Sequence, residues 1–194
     1  EIIIDRIDFS MIRKFPYATV EFSNVLIKSR AGLSYSGPAP AGKDTLMSAS
    51  KIYFQFGLLG LIHNEFQLKK IHMTDGKINV FTDPSGRNNY SIWKTTDKEK
   101  EGEGYTFDFN NVIFSGFDLH YINLKNPAFV HSFIDKMVFN GSVSGENGRY
   151  AVKSELFFYE AGRNESYRIK NIPVYFDFKA SSEKDRVTIR QGGI

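Results

Sequence analysis

Residues of a type that could carry chemistry are few, and their spacing argues against most of it. Gly37-Pro38-Ala39-Pro40-Ala41-Gly42-Lys43 matches most of the phosphate-loop spacing G-x-x-x-x-G-K-[ST], in which backbone N–H groups cradle phosphate and the final hydroxyl holds magnesium. The next residue is Asp44, so that hydroxyl is missing and a carboxylate would stand beside phosphate. Pro38 and Pro40 each remove an N–H donor from a loop that works through such donors. The segment reads as a linker. The 4 histidines, His63, His72, His120 and His131, show no close metal-ligand spacing. His72 and His120 alternate with apolar neighbours and belong on the polar face of a strand. Carboxylates are scattered at outward strand positions, and nothing singles out two of them for glycoside chemistry. There is no G-x-S-x-G. Cysteine is absent, which removes disulfides, zinc-thiolate sites and thiol catalysis together. Asn89-Tyr90-Ser91, Asn140-Gly141-Ser142 and Asn164-Glu165-Ser166 match a glycosylation acceptor and read as turns. The expectation is a protein that is not an enzyme, with no cofactor and no metal site.

What remains is a pattern of strands. Apolar residues alternate with polar ones in Lys51-Ile52-Tyr53-Phe54-Gln55-Phe56, in Tyr105-Thr106-Phe107-Asp108-Phe109 and in Pro173-Val174-Tyr175-Phe176-Asp177-Phe178. Helical signals are sparse: Leu58-Leu59-Gly60-Leu61-Ile62-His63-Asn64 is the best candidate, and residues 9–15 have room for one turn before Pro16 ends it. Loops are expected at 36–43, at the turn 83–88 and at hairpin ends 146–148 and 162–165. Residues 94–104 read as a mobile charged connection within a single module spanning 1–194. The chain has 194 residues and a net charge of +3, too weak a bias to argue for nucleic acid. Phe 18, Tyr 10 and Trp 1 make it 15% aromatic although its mean hydropathy is −0.32. No apolar run reaches the ~20 residues that cross a bilayer. Both ends read as cut from something longer.

One spacing recurs inside the strands: apolar, any, apolar, two polar residues, apolar, any, apolar. It fits Ile2-Ile4 and Ile7-Phe9 around Asp5-Arg6, and Val20-Phe22 and Val25-Ile27 around Ser23-Asn24. It fits Met47-Ala49 and Ile52-Phe54 around Ser50-Lys51, and Phe66-Leu68 and Ile71-Met73 around Lys69-Lys70. It fits Phe107-Phe109 and Val112-Phe114 around Asn110-Asn111, and then Phe117-Leu119 beyond Ser115-Gly116. It fits Tyr167-Ile169 and Ile172-Val174 around Lys170-Asn171. Strict alternation would send the second pair to the opposite face. Either a β-bulge at the polar pair keeps all four on one wall, or the strand bends there and serves two apolar surfaces. The first makes a curved sheet shaped like a trough. The second makes a β-sandwich whose strands switch sheets.

Three stretches resemble the AsmA family of bacterial envelope proteins, related in architecture to TamB and to the chorein-type bridge lipid-transfer proteins. Ile7-Asp8-Phe9-Ser10-Met11-Ile12-Arg13-Lys14-Phe15-Pro16, running into Ala18-Thr19-Val20-Glu21-Phe22-Ser23-Asn24-Val25-Leu26-Ile27, is similar to the family's opening turn and strand. Ile52-Tyr53-Phe54, Leu58-Leu59-Gly60-Leu61-Ile62 and Phe66-Gln67-Leu68-Lys69-Lys70-Ile71 resemble its next segment. Met73-Thr74-Asp75-Gly76-Lys77-Ile78-Asn79-Val80-Phe81 with Gly86-Arg87-Asn88-Asn89 resembles the stretch that closes that unit. The likeness covers residues 7–93; beyond Gly104 only strand repetition continues. It implies a mainly β fold, a long twisted antiparallel sheet curved into a groove with one or two short helices. It implies a membrane anchor upstream of Glu1, the periplasmic side of a bacterial inner membrane, and a non-enzymatic role in phospholipid transport or outer-membrane lipid homeostasis. The partner would be a phospholipid or another acyl-chain lipid, and not nucleic acid. Candidate groove-lining residues are then Ile2, Ile4, Val20, Phe22, Ile52, Phe54, Phe56, Phe66, Leu68, Phe107, Phe109, Val112, Phe114, Phe117, Leu119, Ile169, Val174 and Phe176. The competing reading is a closed β-sandwich that scaffolds envelope partners.

Overall fold

The computed structural model describes residues 1–10, 16–29, 44–58, 68–90, 106–144, 147–163, 167–183 and 186–193, by backbone alone at 106–109, 143–144, 186–187 and 190–193. Alternating segments rich in β-branched and aromatic residues form the strands β1 (Ile2–Ile3), β2 (Arg6–Ser10), β3 (Tyr17–Lys28), β4 (Thr45–Gly57) and β5 (Leu68–Thr82). They are followed by β6 (Thr106–Asn123), β7 (Ala128–Ser144), β8 (Asn147–Arg163), β9 (Tyr167–Glu183) and β10 (Arg186–Gly193). All belong to one 10-stranded sheet in the order β1-β3-β4-β5-β6-β7-β8-β9-β10, with β2 also on β3. The order is a path and not a ring, so the sheet is open, and it curves. The mainly β, groove-like architecture is therefore present. A closed sandwich is not, because every described strand lies in this one sheet.

Two details differ from the expectation or fall outside it. The sheet is not wholly antiparallel: β5 and β6 run parallel, with Ile71 beside Val112 and Thr82 beside Asn123. Parallel neighbours need a long crossover, and the chain between Thr82 and Thr106 provides it. The turn expected at 83–88 lies in that crossover. The helix expected from Leu58 to Asn64, the linker at 37–43 and the charged stretch at 94–104 lie outside the described residues, apart from Leu58 itself.

A line of interrupted pairing crosses the sheet. Ser23 pairs with Lys51 and Val25 with Ala49, while Asn24 and Ser50 between them are passed over. The same happens to Ser50 and Asp75 between β4 and β5, to Asp75 and Gly116 between β5 and β6, and to Gly116 and Asp135 between β6 and β7. At the edge the line meets Asp5, where β1 has ended at Ile3 beside Leu26 and β2 begins at Arg6 beside Ser23. Asn24, Asp75 and Gly116 have φ of 51°, 52° and 70°. Asn, Asp and Gly enter this left-handed region most readily.

Each unpaired residue shifts the alternation by one, so the apolar pairs on both sides of the crease face the same way. Phe22 joins Val25 and Ile27, and Met47 and Ala49 join Ile52 and Phe54, in a single packed cluster. The rings of Phe114 and Phe117, on either side of Ser115-Gly116, meet edge to face at 5.4 Å and 82°. A second break lies in β8 and β9, where Tyr159 and left-handed Asn171 are passed over between the pairs Phe158–Ile172 and Glu160–Lys170. Left-handed Asn111 marks a third, with the register shifting between Phe109 and Val112. The bulge solution, with one wall, is the one adopted.

Phe117 is fully buried and Ile134 is 2% exposed. No second layer lies over them among the described residues, and the curvature of the sheet brings its apolar side chains together. Gly76 makes the tightest contact possible: a Cβ there would lie 2.6 Å from Phe117 Cε1 and would also run into the carbonyl oxygen of Ser48. The Phe117 ring therefore rests on bare backbone. Urea unfolding tests both features. Asn24→Gly should hold or raise stability, whereas Asn24→Val should lose about 1–2 kcal/mol, the cost of left-handed backbone for a side-chain-bearing residue. Gly76→Ala should lose about 1–3 kcal/mol through overpacking against Phe117. Equal stability of Asn24→Gly and Asn24→Val would contradict the crease.

Candidate functional site

Register and alternation assign the candidate residues to a face, because directly paired residues share one. Val20, Phe22, Ile52, Phe54, Phe56, Leu68, Val112, Phe114, Phe117, Leu119, Ile169, Val174 and Phe176 stand on the apolar face. Ile2, paired with Ile27, stands there too, and alternation from Ile2 assigns Ile4, just past the end of β1, to the same face. Phe107 and Phe109 are placed by backbone in β6, paired with Val143 and Gly141. Phe66 lies outside the described residues.

Exposure divides this wall into two parts. Ile52, Val112 and Phe117 are buried and form its packed floor. The edges are open: Ile2 is 62% exposed, Phe9 58%, Ile169 44% and Ile189 70%. Phe9 pairs with Val20 and Ile189 with Ala180, which puts both on the apolar face. Along this face, from Val20, Phe22, Val25 and Ile27 of β3 to Ile169, Ile172, Val174, Phe176 and Phe178 of β9, the one charged residue among the described paired positions is Arg163, which pairs with Ala128 and Tyr167 at one end of the face.

The ionisable residues gather on the other face. Lys51 and Glu21 make a 2.6 Å ion pair, Lys153 and Asp177 one of 2.9 Å, and Glu160 meets Arg168 at 3.5 Å and Lys170 at 3.3 Å. These exposed pairs contribute little stability; their consequence is sidedness. A hollow of about 500 Å³ lies past the apolar rows, at the end of β7–β9, where Asn140, Arg149 and Lys179 bring polar groups. Its lining does not suit a hydrocarbon chain.

Sequence reasoning missed one cluster on the charged face. His120 pairs directly with His131 across β6 and β7, and their rings stack at 4.1 Å and 22°. The carboxylate of Asp118 meets His120 Nε2 at 3.2 Å and His131 Nε2 at 3.1 Å. No close histidine spacing exists in the chain; the hairpin brings these two together. The signal available was the turn Leu124-Lys125-Asn126-Pro127, which centres the hairpin between Lys125 and Asn126 and makes residues 120 and 131 opposite. His72 lies on the same charged face, as its alternation required, with Ser115 Oγ 3.0 Å from Nε2.

Of the acceptor-like triplets, Asn164-Glu165-Ser166 lies outside the described residues, and the asparagines of the other two have other roles. Asn140-Gly141-Ser142 lies inside β7 and is not a turn. Asn89 is fully buried: its Oδ1 accepts from Phe81 N–H at 2.8 Å, and its Nδ2 donates to the Asn79 carbonyl at 2.7 Å. One amide thus replaces a neighbouring strand at the end of β5. The adjoining turn is held by Asp83, which is 1% exposed. Ser85 Oγ donates to it at 2.6 Å, Arg87 N–H at 2.9 Å and Arg87 Nε at 2.8 Å. The Ser85 hydrogen bond, followed by those from Arg87 and the guanidinium charge, pulls the Asp83 carboxyl down to about 2, against the penalty of burial.

Among the described residues no helix is long and apolar enough to cross a membrane. No protein-family model matches the chain, and neither does any curated protein or solved structure.

Two variants test the turn. Asn89→Ala leaves the Phe81 N–H and the Asn79 carbonyl buried without their partner and should lower stability by about 1–3 kcal/mol in urea unfolding. Asp83 has a depressed folded pKa, so its contribution is complete above the ordinary carboxylate value of about 4 and is lost as the pH falls through about 2. Asp83→Asn should therefore reduce stability at neutral pH and flatten its acid dependence below pH ~4. An unchanged acid limb would exclude Asp83 as its source.

Proposed function

We propose that this sheet is a non-enzymatic, trough-shaped holder for the acyl chains of phospholipid. The observation that carries the reading is the sidedness of the sheet: a continuous apolar face, open along both edges, on which the one charged residue among the described paired positions is Arg163 at one end. Exposed apolar surface of this extent is costly in water unless something covers it. An acyl chain gains roughly 25 cal/mol per Å² of apolar surface removed from water. Such a chain needs no polar anchor and slides along a wall of Ile, Val and Phe, while the headgroup stays in water. The packed floor of Ile52, Val112 and Phe117 keeps the wall rigid. The edge residues Ile2, Ile4, Phe9, Ile169 and Ile189 have free area to meet the lipid.

The resemblance of residues 7–93 to the AsmA family supports phospholipid of the bacterial envelope, handled on the periplasmic side of the inner membrane, as the cargo. The role would be lipid transport or outer-membrane lipid homeostasis within a longer, membrane-anchored chain.

Native mass spectrometry of the purified protein should show co-purifying phospholipid, and the protein should take up a fluorescent phospholipid from vesicles. Ile4→Glu combined with Ile169→Glu places charge on both open edges without touching the floor. It should keep the unfolding midpoint within a few degrees and cut uptake several-fold. Lys153→Glu, on the charged face, should leave uptake unchanged. A wild-type protein that neither carries nor takes up phospholipid would overturn the reading.

A further inference from the structure

The charged face carries one cluster that an acyl-chain trough does not use. We propose that Asp118, His120 and His131 form a binding site for a divalent transition-metal ion of the zinc class. The set is two imidazoles and one carboxylate, each offering one ligand atom, and those atoms all lie within 4.8 Å of one another. Imidazole with carboxylate suits zinc and its neighbours better than magnesium or calcium, which prefer oxygen alone.

The geometry is close to that of a bound ion. Zinc holds nitrogen and oxygen ligands at about 2.0–2.2 Å, so ligands around a tetrahedral ion stand roughly 3.3 Å apart. Asp118 Oδ2 already lies 3.2 Å from His120 Nε2 and Oδ1 lies 3.1 Å from His131 Nε2, so a small turn of the carboxylate and the rings brings one atom from each residue onto a common ion. Both Nε2 atoms now converge on one carboxylate. An ion at the point of convergence would take the place of the two hydrogen-bonding protons. The side chains are 29–41% exposed, which leaves the rings freedom to turn and gives an ion a path from solvent.

The fold fixes the set without strain. Asp118 and His120 are two residues apart on β6 and share a face. His131 is directly opposite His120 across the hairpin, so three ligands come from one rigid strand pair. Glu160 faces His131 from β8, but Arg168 and Lys170 already neutralise it. Lys77 faces Asp118 from β5, and the Tyr159 ring lies 4.7 Å from His131. Three protein ligands leave a fourth position for water or a group of a bound molecule.

Zinc chloride titrated calorimetrically into the untagged protein should bind one ion per chain with saturation at micromolar zinc. His131→Ala and Asp118→Asn should each weaken that binding by at least about tenfold, whereas His72→Ala should not. Circular dichroism shows whether each variant is folded. Imidazole nitrogen NMR of the wild type gives a second readout that needs no variant: zinc should move the signals of two hydrogen-bonded, mutually close histidines and leave the others in place. Absence of zinc binding, binding unaffected by His131→Ala and Asp118→Asn, or NMR shifts confined to other histidines would overturn the proposal.

Discussion

A strand alternates its side chains with a period of two, and everything else in this sheet depends on how that rule is broken. A wall of one chemistry, built from long strands that also bend, needs each strand to slip by one residue at the bend. Asn24, Asp75 and Gly116 do this with left-handed backbone, and Asn171 repeats it in β9. Because the breaks in neighbouring strands line up from Asp5 to Asp135, the slip is shared and the register is kept. Without the slip, Val25 and Ile27 would face the charged side and only Val20 and Phe22 of that strand would remain on the apolar one. Glycine contributes a further device at the floor, where Gly76 lets the Phe117 ring lie against backbone and close the sheet's centre.

The consequence is a segregation of chemistry between two faces of a single layer. Ion pairs such as Lys153–Asp177 and the Asp118 cluster stand on one side, interleaved with Phe129, Phe133 and Phe157, while the continuous aromatic and aliphatic rows stand on the other. Packing consumes the middle of the apolar face and leaves its margins exposed. That division of labour, a rigid floor with open rims, is what a surface for mobile hydrocarbon chains requires. A closed sandwich would have hidden both.

Much of this was legible in the chain. The repeated spacing around Ser23-Asn24, Asn110-Asn111, Ser115-Gly116 and Lys170-Asn171 marks places where the structure does turn left-handed, and the residue types there are those that tolerate it. Asp75 and Asp135 are less visible, because neither falls between two apolar pairs of the repeated spacing and only the neighbouring strands reveal the break. The parallel pairing of β5 with β6 has no local signature; it is decided by a crossover far from either strand's middle. Asn140-Gly141-Ser142 has the composition of a turn, yet pairing with Arg149 and Tyr150 holds it in a strand. His120 and His131 are separated in sequence and meet only through hairpin register, which spacing rules for ligands along one segment do not examine. The three matched words around residues 7–93 pointed to a groove, and the open curved sheet agrees with that fold.

The most direct test uses neighbouring residues on opposite faces of one strand. Val174 stands on the apolar face of β9 and Tyr175 on the charged face. A photo-crosslinking amino acid placed at either position in the full chain, irradiated with phospholipid present, reads out which face meets lipid. Adducts of phospholipid at position 174 and none at 175 are expected. Equal labelling at both positions, or labelling at 175 alone, would contradict an apolar trough as the lipid-bearing surface.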